Sequence, residues 1–450
     1  MSIRRILIAN RGEIAVRIIR TCRILGIETV LAASEADRDS LPARLADRTI
    51  CIGPAQPSAS YLKVETMVQA ALGVGADAIH PGYGFLSERP ELARLCEQQG
   101  VIFIGPTAAQ IEAVGDKLRA RAEAEAVAVP VVPGGAADSL DAALALAEVI
   151  GMPLLVKAVG GGGGRGMKRV DSLAQLPAML DMAASEAGAA FGDARVCLER
   201  YVTRGRHVEV QILGDGRQNV IHLGERDCSV QRRYQKLLEE APAPDLPDTL
   251  RGGLHAAATR LGRRLGYRGA GTVEFLVDRQ REMFYFLEVN ARIQVEHPVT
   301  EALTGVDLVA EQISIAEGSG LRLRQADIRP SGWALECRVN AEDPTREFSP
   351  SPGLLGEVCW PGGAGVRVDT HIAAGMRLSP YYDSLMAKII IHAADRPAAI
   401  SRMRQAIADT RIDGVATNLA FHAALLADAE FQAGGVDTGY VARLLERTHG

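Results

Sequence analysis

Seven cysteines, at 22, 51, 96, 197, 228, 337 and 359, are spread over 450 residues without a C-x-x-C spacing. Their scatter and odd number argue against a disulfide framework or a zinc ribbon and fit a reducing compartment. No apolar stretch approaches the ~20 residues of a membrane span. The start, Met1-Ser-Ile-Arg-Arg-Ile-Leu-Ile-Ala, has an apolar run too short for a signal sequence and reads as a first strand. A cytoplasmic protein with no membrane contact is expected. A net charge of −5 argues against a general nucleic-acid-binding surface. Basic clusters such as Arg263-Arg264 read as solvated helix face. What remains is ordinary globular composition, 47% hydrophobic and 23% charged. The length exceeds one compact core and predicts two or three domains.

Over the first 110 or so residues, strands and helices alternate. Ile6–Ala9 is a short apolar strand. Glu13 to Leu25 has apolar residues at helical spacing, with Gly26 as its stop. Thr29–Ala32, Ala76–Ile79 and Val101–Ile104 read as further strands, and a helix is expected near 90–99. This rhythm predicts an open parallel sheet. Asn10-Arg-Gly and His80-Pro-Gly-Tyr-Gly-Phe-Leu-Ser-Glu88 would sit at carboxyl ends of its strands, where such sheets bind ligands. His80 reads equally well as a turn-holding loop residue. Residues 111–150 look helical and Ala-rich, interrupted near Pro130–Gly135, and mark a boundary.

Pro153 to Val170 then carries five consecutive glycines, Gly160–Gly164, between two strand signals. Without Cβ atoms, such backbone can wrap phosphate oxygens. It is neither a Walker A loop nor a Rossmann fingerprint, because a strand and not a helix follows. With Lys157 just before it, the segment reads as a lid over a nucleotide; the plain alternative is a flexible linker. Leu198–Val202, His207–Leu213, Asn219–Leu223 and Gly332–Arg338 read as strands, the last with Glu336 and Arg338 on one face. Helices are expected near 250–265, 396–409 and 417–428.

The densest chemistry lies in Phe284-Tyr-Phe-Leu-Glu-Val-Asn-Ala-Arg-Ile-Gln-Val-Glu-His297. Glu288, Asn290 and Arg292 alternate, so on a strand they share a face, and Gln294 and Glu296 keep the spacing if the strand persists. Gly271–Asp278 alternates likewise around Glu274, and the polar link 279–283 suits a hairpin loop. Glu274 would then face Glu288. Two bare carboxylates there repel, and a hard divalent cation such as Mg²⁺ removes the conflict. The bland alternative is a solvated strand face.

In order and spacing, four motifs together resemble biotin carboxylase, a family of the ATP-grasp superfamily. They are His80–Glu88, the glycine run, Glu225-Arg-Asp-Cys-Ser229 with Gln235-Lys236, and Glu288–His297. The similarity spans essentially the whole chain. It implies an α/β fold, α+β in part: a Rossmann-like N-terminal domain (1–113), an ATP-grasp lid with the glycine flap (114–203), and a C-terminal domain completing the cleft (204–450). It implies ATP-dependent carboxylation of biotin, held on a biotin carboxyl carrier protein, by bicarbonate through carboxyphosphate, with Mg²⁺ or Mn²⁺ as metal. This is the first half-reaction of acetyl-CoA carboxylase in fatty acid synthesis or of a related carboxylase, and carboxyltransferase subunits are implied partners. The resemblance assigns nucleotide contacts to Lys117, Lys157, Gly163, Gly164, Glu199, Arg200, Tyr201, Val202, His207, Gln231, Tyr234, Glu274 and Glu288. It assigns the metal to Glu274, Glu288 and Asn290, and bicarbonate to Lys236, Arg292, Gln294 and the backbone of Val295. Glu296 matches the general base and Arg338 the residue facing the biotin ureido oxygen.

The chain departs from the family pattern at Tyr234, where bacterial members often carry His beside the ribose. The implied homodimer is also affected: Ile24 and Ala364 replace a charged and an aromatic residue common in that interface. The sequence holds no Met-Lys-Met acceptor, so the expected acceptor is a partner's biotin. Two rivals are another ATP-grasp ligase with a different acceptor and a nucleotide-binding regulatory subunit without turnover.

Overall fold

The computed structural model describes residues 2–160 and 167–449. Strands β1 (Arg5–Ile8), β2 (Glu28–Ala33), β3 (Arg48–Cys51), β4 (Ala78–His80) and β5 (Ile102–Phe103) form a parallel sheet in the order β3-β2-β1-β4-β5. The helix Gly12–Leu25 buries Ile14, Ile18, Ile19 and Cys22 and ends at Gly26, whose φ of 71° supplies the left-handed stop. Asn10 and His80 lie at the carboxyl ends of β1 and β4, as expected. The Asn10 amide donates to the carbonyls of Pro81 and Tyr83, both at 2.7 Å, fixing the 80–88 loop.

A second sheet contains β6 (Gly134–Ala136), β7 (Leu154–Ala158), β8 (Lys168–Val170) and β9 (Val196–Arg200), in the antiparallel order β6-β9-β7-β8. The helices Leu140–Ile150 and Leu176–Phe191 cover one face, packing Ala143, Ala147, Leu176 and Leu180 on Leu154, Val156 and Leu198. The two strands expected around the glycine run pair as a hairpin. Most of the run itself, with Gly163 and Gly164, lies outside the described residues.

The third sheet has eight antiparallel strands. They are β10 (Arg206–Asp215), β11 (Val220–Arg232), β12 (Gln235–Ala241), β13 (Arg268–Asp278), β14 (Met283–Asn290) and β15 (Trp333–Asn340), then β19 (Val366–Thr370) and β20 (Leu385–Ala393). The short pairs β16 (Glu342–Asp343) with β17 (Ser349–Pro350), and β18 (Val358–Cys359) with β21 (Arg411–Ile412), lie outside it. The order is β14-β13-β10-β11-β12-β15-β20-β19. Register does the work of assembling charge. Glu288 faces Glu274, Glu274 faces Glu209, Glu209 faces Arg226, Gln231 faces Lys236, Glu239 faces Glu336, and Arg338 faces Lys388. Cross-strand partners share a face, so ionisable side chains from neighbouring strands meet on the sheet.

Three expectations change. The strand 284–297 stops at Asn290; residues 291–296 turn, and a helix runs from His297 to Thr304. A bulge between Glu274 and Phe275 leaves Leu287 unmatched, so strict alternation also fails there. The strand expected at 219–223 continues to Arg232 and doubles back through Arg233 and Tyr234, at φ of 49° and 67°. The C-terminal part holds the two expected helices, Arg396–Asp409 and Leu419–Ala427, and two more, Ala429–Ala433 and Tyr440–His449. The N-terminal sheet is keyed to the C-terminal part through buried Arg17, which donates to Glu301 at 2.6 Å and Asp307 at 2.8 Å. Among the described residues no helix is long and apolar enough to cross a membrane.

Candidate active site

At the centre of the third sheet is Lys236. Its ammonium donates to Glu209 Oε2 at 2.6 Å, Glu296 Oε1 at 2.7 Å and Glu274 Oε1 at 3.1 Å. Glu296 stands at the start of the helix His297–Thr304, and its other oxygen accepts from Arg338 Nη2 at 2.9 Å. A lysine and an arginine thus clamp the two oxygens of one buried carboxylate. Burial alone would push Glu296 up, but Lys236, Arg338 and Arg226 outweigh it and hold Glu296 well below the usual carboxylate range. Glu274 is likewise held low against burial by Lys236 and His207. In return, the carboxylates around Lys236 overcome its burial and raise it well above the ordinary lysine value.

Gln294 and Asn290 donate to Glu274 Oε1 at 2.8 and 2.9 Å, so the chain beyond β14 returns to the same carboxylate although it has left the sheet. His207 Nε2 lies 2.8 Å from Glu274 Oε2, within ion-pair range but off the line of a good hydrogen bond. Arg292 donates to Glu88 at 2.9 Å and Asn290 Oδ1 at 2.9 Å. Glu88 also accepts the Ala291 N–H at 3.0 Å, which ties the 80–88 loop to the turn after β14. The Val295 carbonyl accepts from Lys388 at 2.7 Å.

The metal positions fit a divalent cation. Burial first, and then Glu274 opposite, push Glu288 above the carboxylate range. That like-charge conflict is what a hard cation relieves, and the two carboxylates supply oxygen donors; Asn290 now turns its amide nitrogen to Glu274 and its oxygen to Arg292, and would add an oxygen once that amide turned. Ligand atoms of His207, Glu209 and Glu274 also converge within 4.8 Å, but there the Lys236 ammonium already supplies the positive charge.

A second group faces from the lid. Lys157, on β7, is ion-paired with Glu199 on β9, and Lys117 reaches the Ala158 carbonyl at 3.3 Å. Burial lowers Lys117 while Glu288 opposes it, so this lysine feels the metal-side carboxylate across the cleft. The Tyr201 ring lies under Arg169 at 4.6 Å, Arg200 donates to the Ile150 carbonyl at 3.3 Å, and Val202 is buried with Val132 and Tyr285. Gln231 is buried near the end of β11. Tyr234 is half exposed on its turn, within electrostatic reach of Tyr201 and Lys157.

The structure therefore gathers His207, Lys236, Glu274, Asn290, Gln294, Glu296 and Arg338 into one network, with Arg292 joined through Asn290. Lys117, Lys157 and Glu199 form a second group, with Tyr234 on its turn within electrostatic reach of Lys157. Sequence reasoning missed Glu209, Arg226, Glu239 and Lys388. Arg226 is fully buried and donates to Glu209 at 2.6 Å and to Gln211, Thr300 and Gln294 at 2.9 Å. Glu239 accepts Arg338 Nε at 2.6 Å. Glu209 alternates with His207 and Gln211 on β10 and was readable by the rule applied to β14; Lys388 carries no local signal.

Three family profiles match in succession: "Biotin carboxylase, N-terminal domain" over 2–111, "Carbamoyl-phosphate synthase L chain, ATP binding domain" over 116–324, and "Biotin carboxylase C-terminal domain" over 336–443. The chain is 49% identical to the biotin carboxylase of Pseudomonas aeruginosa over 444 residues, 98% of each chain. A biotin carboxylase from Campylobacter jejuni in complex with β-γ-ATP superposes with a TM-score of 0.96 at 43% identity, covering 98% of this chain and 99% of that one. The biotin carboxylase domain dimer of Hydrogenobacter thermophilus 2-oxoglutarate carboxylase, bound to MgADP, ADP and bicarbonate, gives a TM-score of 0.95 at 44% identity, covering 99% of both. Matched along nearly its whole length in sequence and in structure, the chain belongs to the biotin carboxylase family.

Proposed function

We propose that this chain uses ATP and bicarbonate to carboxylate biotin held on a separate carrier protein. The observation that carries the reading is the clamp on Glu296: one carboxylate held between Lys236, on the bicarbonate side, and Arg338, on the biotin side. Bicarbonate is a weak nucleophile, and a carboxylate that takes its proton sharpens the attack on the γ-phosphorus. As the clamp stands, Glu296 is too acidic for that task. An entering bicarbonate changes the balance: its negative charge draws on Lys236, weakens that lysine's hold on Glu296 and raises the carboxylate's proton affinity. Base strength then arises when substrate is present.

Glu274, Glu288 and Asn290 would hold Mg²⁺ or Mn²⁺, which neutralises phosphate charge when bound. Lys117 and Lys157 bring positive charge from the lid to the same phosphates, and Lys157 must exchange Glu199 for them. In this reading closure of the lid over the nucleotide excludes water from the labile carboxyphosphate. After its breakdown to CO₂ and phosphate, the phosphate deprotonates biotin and Arg338 donates to the ureido oxygen as it gains negative charge. In this reading 1–113 forms the N-terminal domain, 114–203 the lid, and 204–450 the remainder of the cleft. The carrier and a carboxyltransferase are the partners, and the latter sets the final acceptor. Acetyl-CoA is the commonest; the Hydrogenobacter relative belongs to a 2-oxoglutarate carboxylase. Ile24 and Ala364 are both exposed, and sedimentation of the purified chain decides whether two copies pair.

ADP release by the purified chain tests the reading. Slow bicarbonate-dependent release, accelerated by free biotin, is expected. Release indifferent to biotin points to another ATP-grasp ligase, and absence of release from a nucleotide-bound sample to a regulatory subunit.

A further inference from the structure

Behind Arg338 lies a pair of acids that the proposed reaction leaves without a task. Glu239 on β12 and Glu336 on β15 are direct cross-strand partners, and both are fully buried. On one face of an antiparallel pair, such residues hold their Cβ atoms about 4.5–5.5 Å apart. Glu239 spends Oε1 on Arg338 Nε at 2.6 Å. Its Oε2, and both oxygens of Glu336, have no hydrogen-bond partner among the described residues. Lys388 is the nearest cation on β20, but its ammonium is committed to the Val295 carbonyl at 2.7 Å and to Glu13 at 3.1 Å. One arginine cannot neutralise two buried carboxylates in addition to Glu296, and an unpaired buried carboxylate is too costly to keep ionised. A proton on Glu336 would resolve both difficulties, its O–H donating to the unpartnered Oε2 of its cross-strand neighbour Glu239.

We propose that Glu336 and Glu239 share one proton as a carboxyl–carboxylate pair, and that this pair positions Arg338 by keeping a single negative charge on its Nε side. Glu336 donates its O–H to Glu239 Oε2, and Glu239 remains the counter-ion of Arg338. Arg338 Nη2 then stays bridged between Glu239 Oε1 at 2.6 Å and Glu296 Oε2 at 2.9 Å. Glu239 and Glu336 are positioning residues: neither touches substrate.

The titratable and charged groups around the pair are Arg338 on β15, Lys236 on β12, Lys388 on β20, Glu296 ahead of its helix, His297 at the start of that helix and, beyond Lys388, Glu13 on the first helix. Burial, opposed by Arg338 and reinforced by Glu296, pushes Glu239 up to about 7. Burial, against Lys388 and with Glu239, holds Glu336 well above the carboxylate range. The two values belong to the pair, and its second ionisation lies well above the ordinary carboxylate range. Loss of the shared proton there puts a second negative charge behind Arg338, draws the guanidinium back from Glu296, and weakens its hold on the ureido oxygen.

The positioning role rests on the biotin reading of Arg338; the shared proton does not. Glu336→Gln keeps a donor to Glu239 and removes the titration. It is expected to match the parent below the pair's second ionisation and to abolish the rise in the KM for biotin that follows it. Glu239→Gln removes the counter-ion and is expected to raise that KM about tenfold, with a smaller change in the KM for ATP. Isotope-edited infrared spectra of the parent should show a protonated carboxyl band that Glu336→Gln lacks. Absence of that band in the parent overturns the shared proton. A parental KM for biotin in Glu239→Gln, or an unaltered pH profile in Glu336→Gln, overturns the positioning role. If the parent itself ignores biotin, the functional reading has failed and the infrared result still decides the pair.

Discussion

Glu296 holds the proposed chemistry in one side chain, and its environment defines two predictions. Glu296→Gln keeps the shape but cannot take a proton. Bicarbonate-dependent ADP release should fall about 100-fold or more, while nucleotide binding, followed by fluorescence or calorimetry, stays near the parent value. Arg292 should respond differently. Its guanidinium is oriented by Glu88, itself 40% exposed, so Glu88→Ala should raise the KM for bicarbonate only about three- to tenfold. At this scale the sequence was informative where an acid, an amide and a base alternate within one segment, as from Glu288 to Glu296. It was silent where partners come from distant strands. Nothing local couples Glu239 to Arg338 or Lys388 to Val295; the register of β12 and β15 brings the first pair together, and the turn after β14 laid on β20 the second.

The element scale explains why some residues landed where alternation put them and others did not. Glu274 and Glu288 face each other because the loop, 279–282, is one residue shorter than the expected 279–283 and the bulge at Leu287 makes up the difference. Arg292, Gln294 and Glu296 reach the same network by a turn and not by a strand. Pro298, near the start of the following helix, was the available signal, since proline favours a helix's first turn and ends a strand. The reversal at Arg233-Tyr234 was invisible, because neither residue is of the Gly or Asn type that such φ values favour. The helix Asp248–Arg264 offers a test of packing. A Cβ on Gly262 would meet Val220 Cγ1 at 2.9 Å and Ile212 Cδ1 at 3.2 Å, so the helix lies against β10 and β11 with no room for a side chain. Gly262→Val should destabilise the protein by about 1–3 kcal/mol, read by denaturant midpoint at constant slope.

The whole molecule is a device for bringing charge from three sheets to one cleft, and its stability should carry that signature. Glu274 and Glu296 are both held low in the folded state by Lys236 and its neighbours. A carboxylate with a depressed folded-state pKa contributes stability that is present above its unfolded value, about 4.3, and is lost as pH falls through the folded value. Thermal melts without ligand should therefore hold their midpoint near neutrality and decline progressively below about pH 5. In Lys236→Met the decline should be shallower, because the carboxylates lose the cation that separates their folded and unfolded values. The parallel N-terminal sheet and the hairpin around the glycine run were legible from periodicity. The eight-stranded continuity of the third sheet was not, because its strands are separated by long helical insertions and no local rule pairs β12 with β15.

The central claim is that biotin receives the carboxyl group, and transfer of label answers it most directly. With labelled bicarbonate, ATP and Mg²⁺, the purified chain should place acid-labile label on free biotin, and faster on a biotinylated carrier, with one ADP released for each carboxyl transferred. Glu296→Gln should lose that transfer. ATP-dependent ADP release that leaves both biotin and the carrier unlabelled would contradict the account and assign the cleft to a different acceptor.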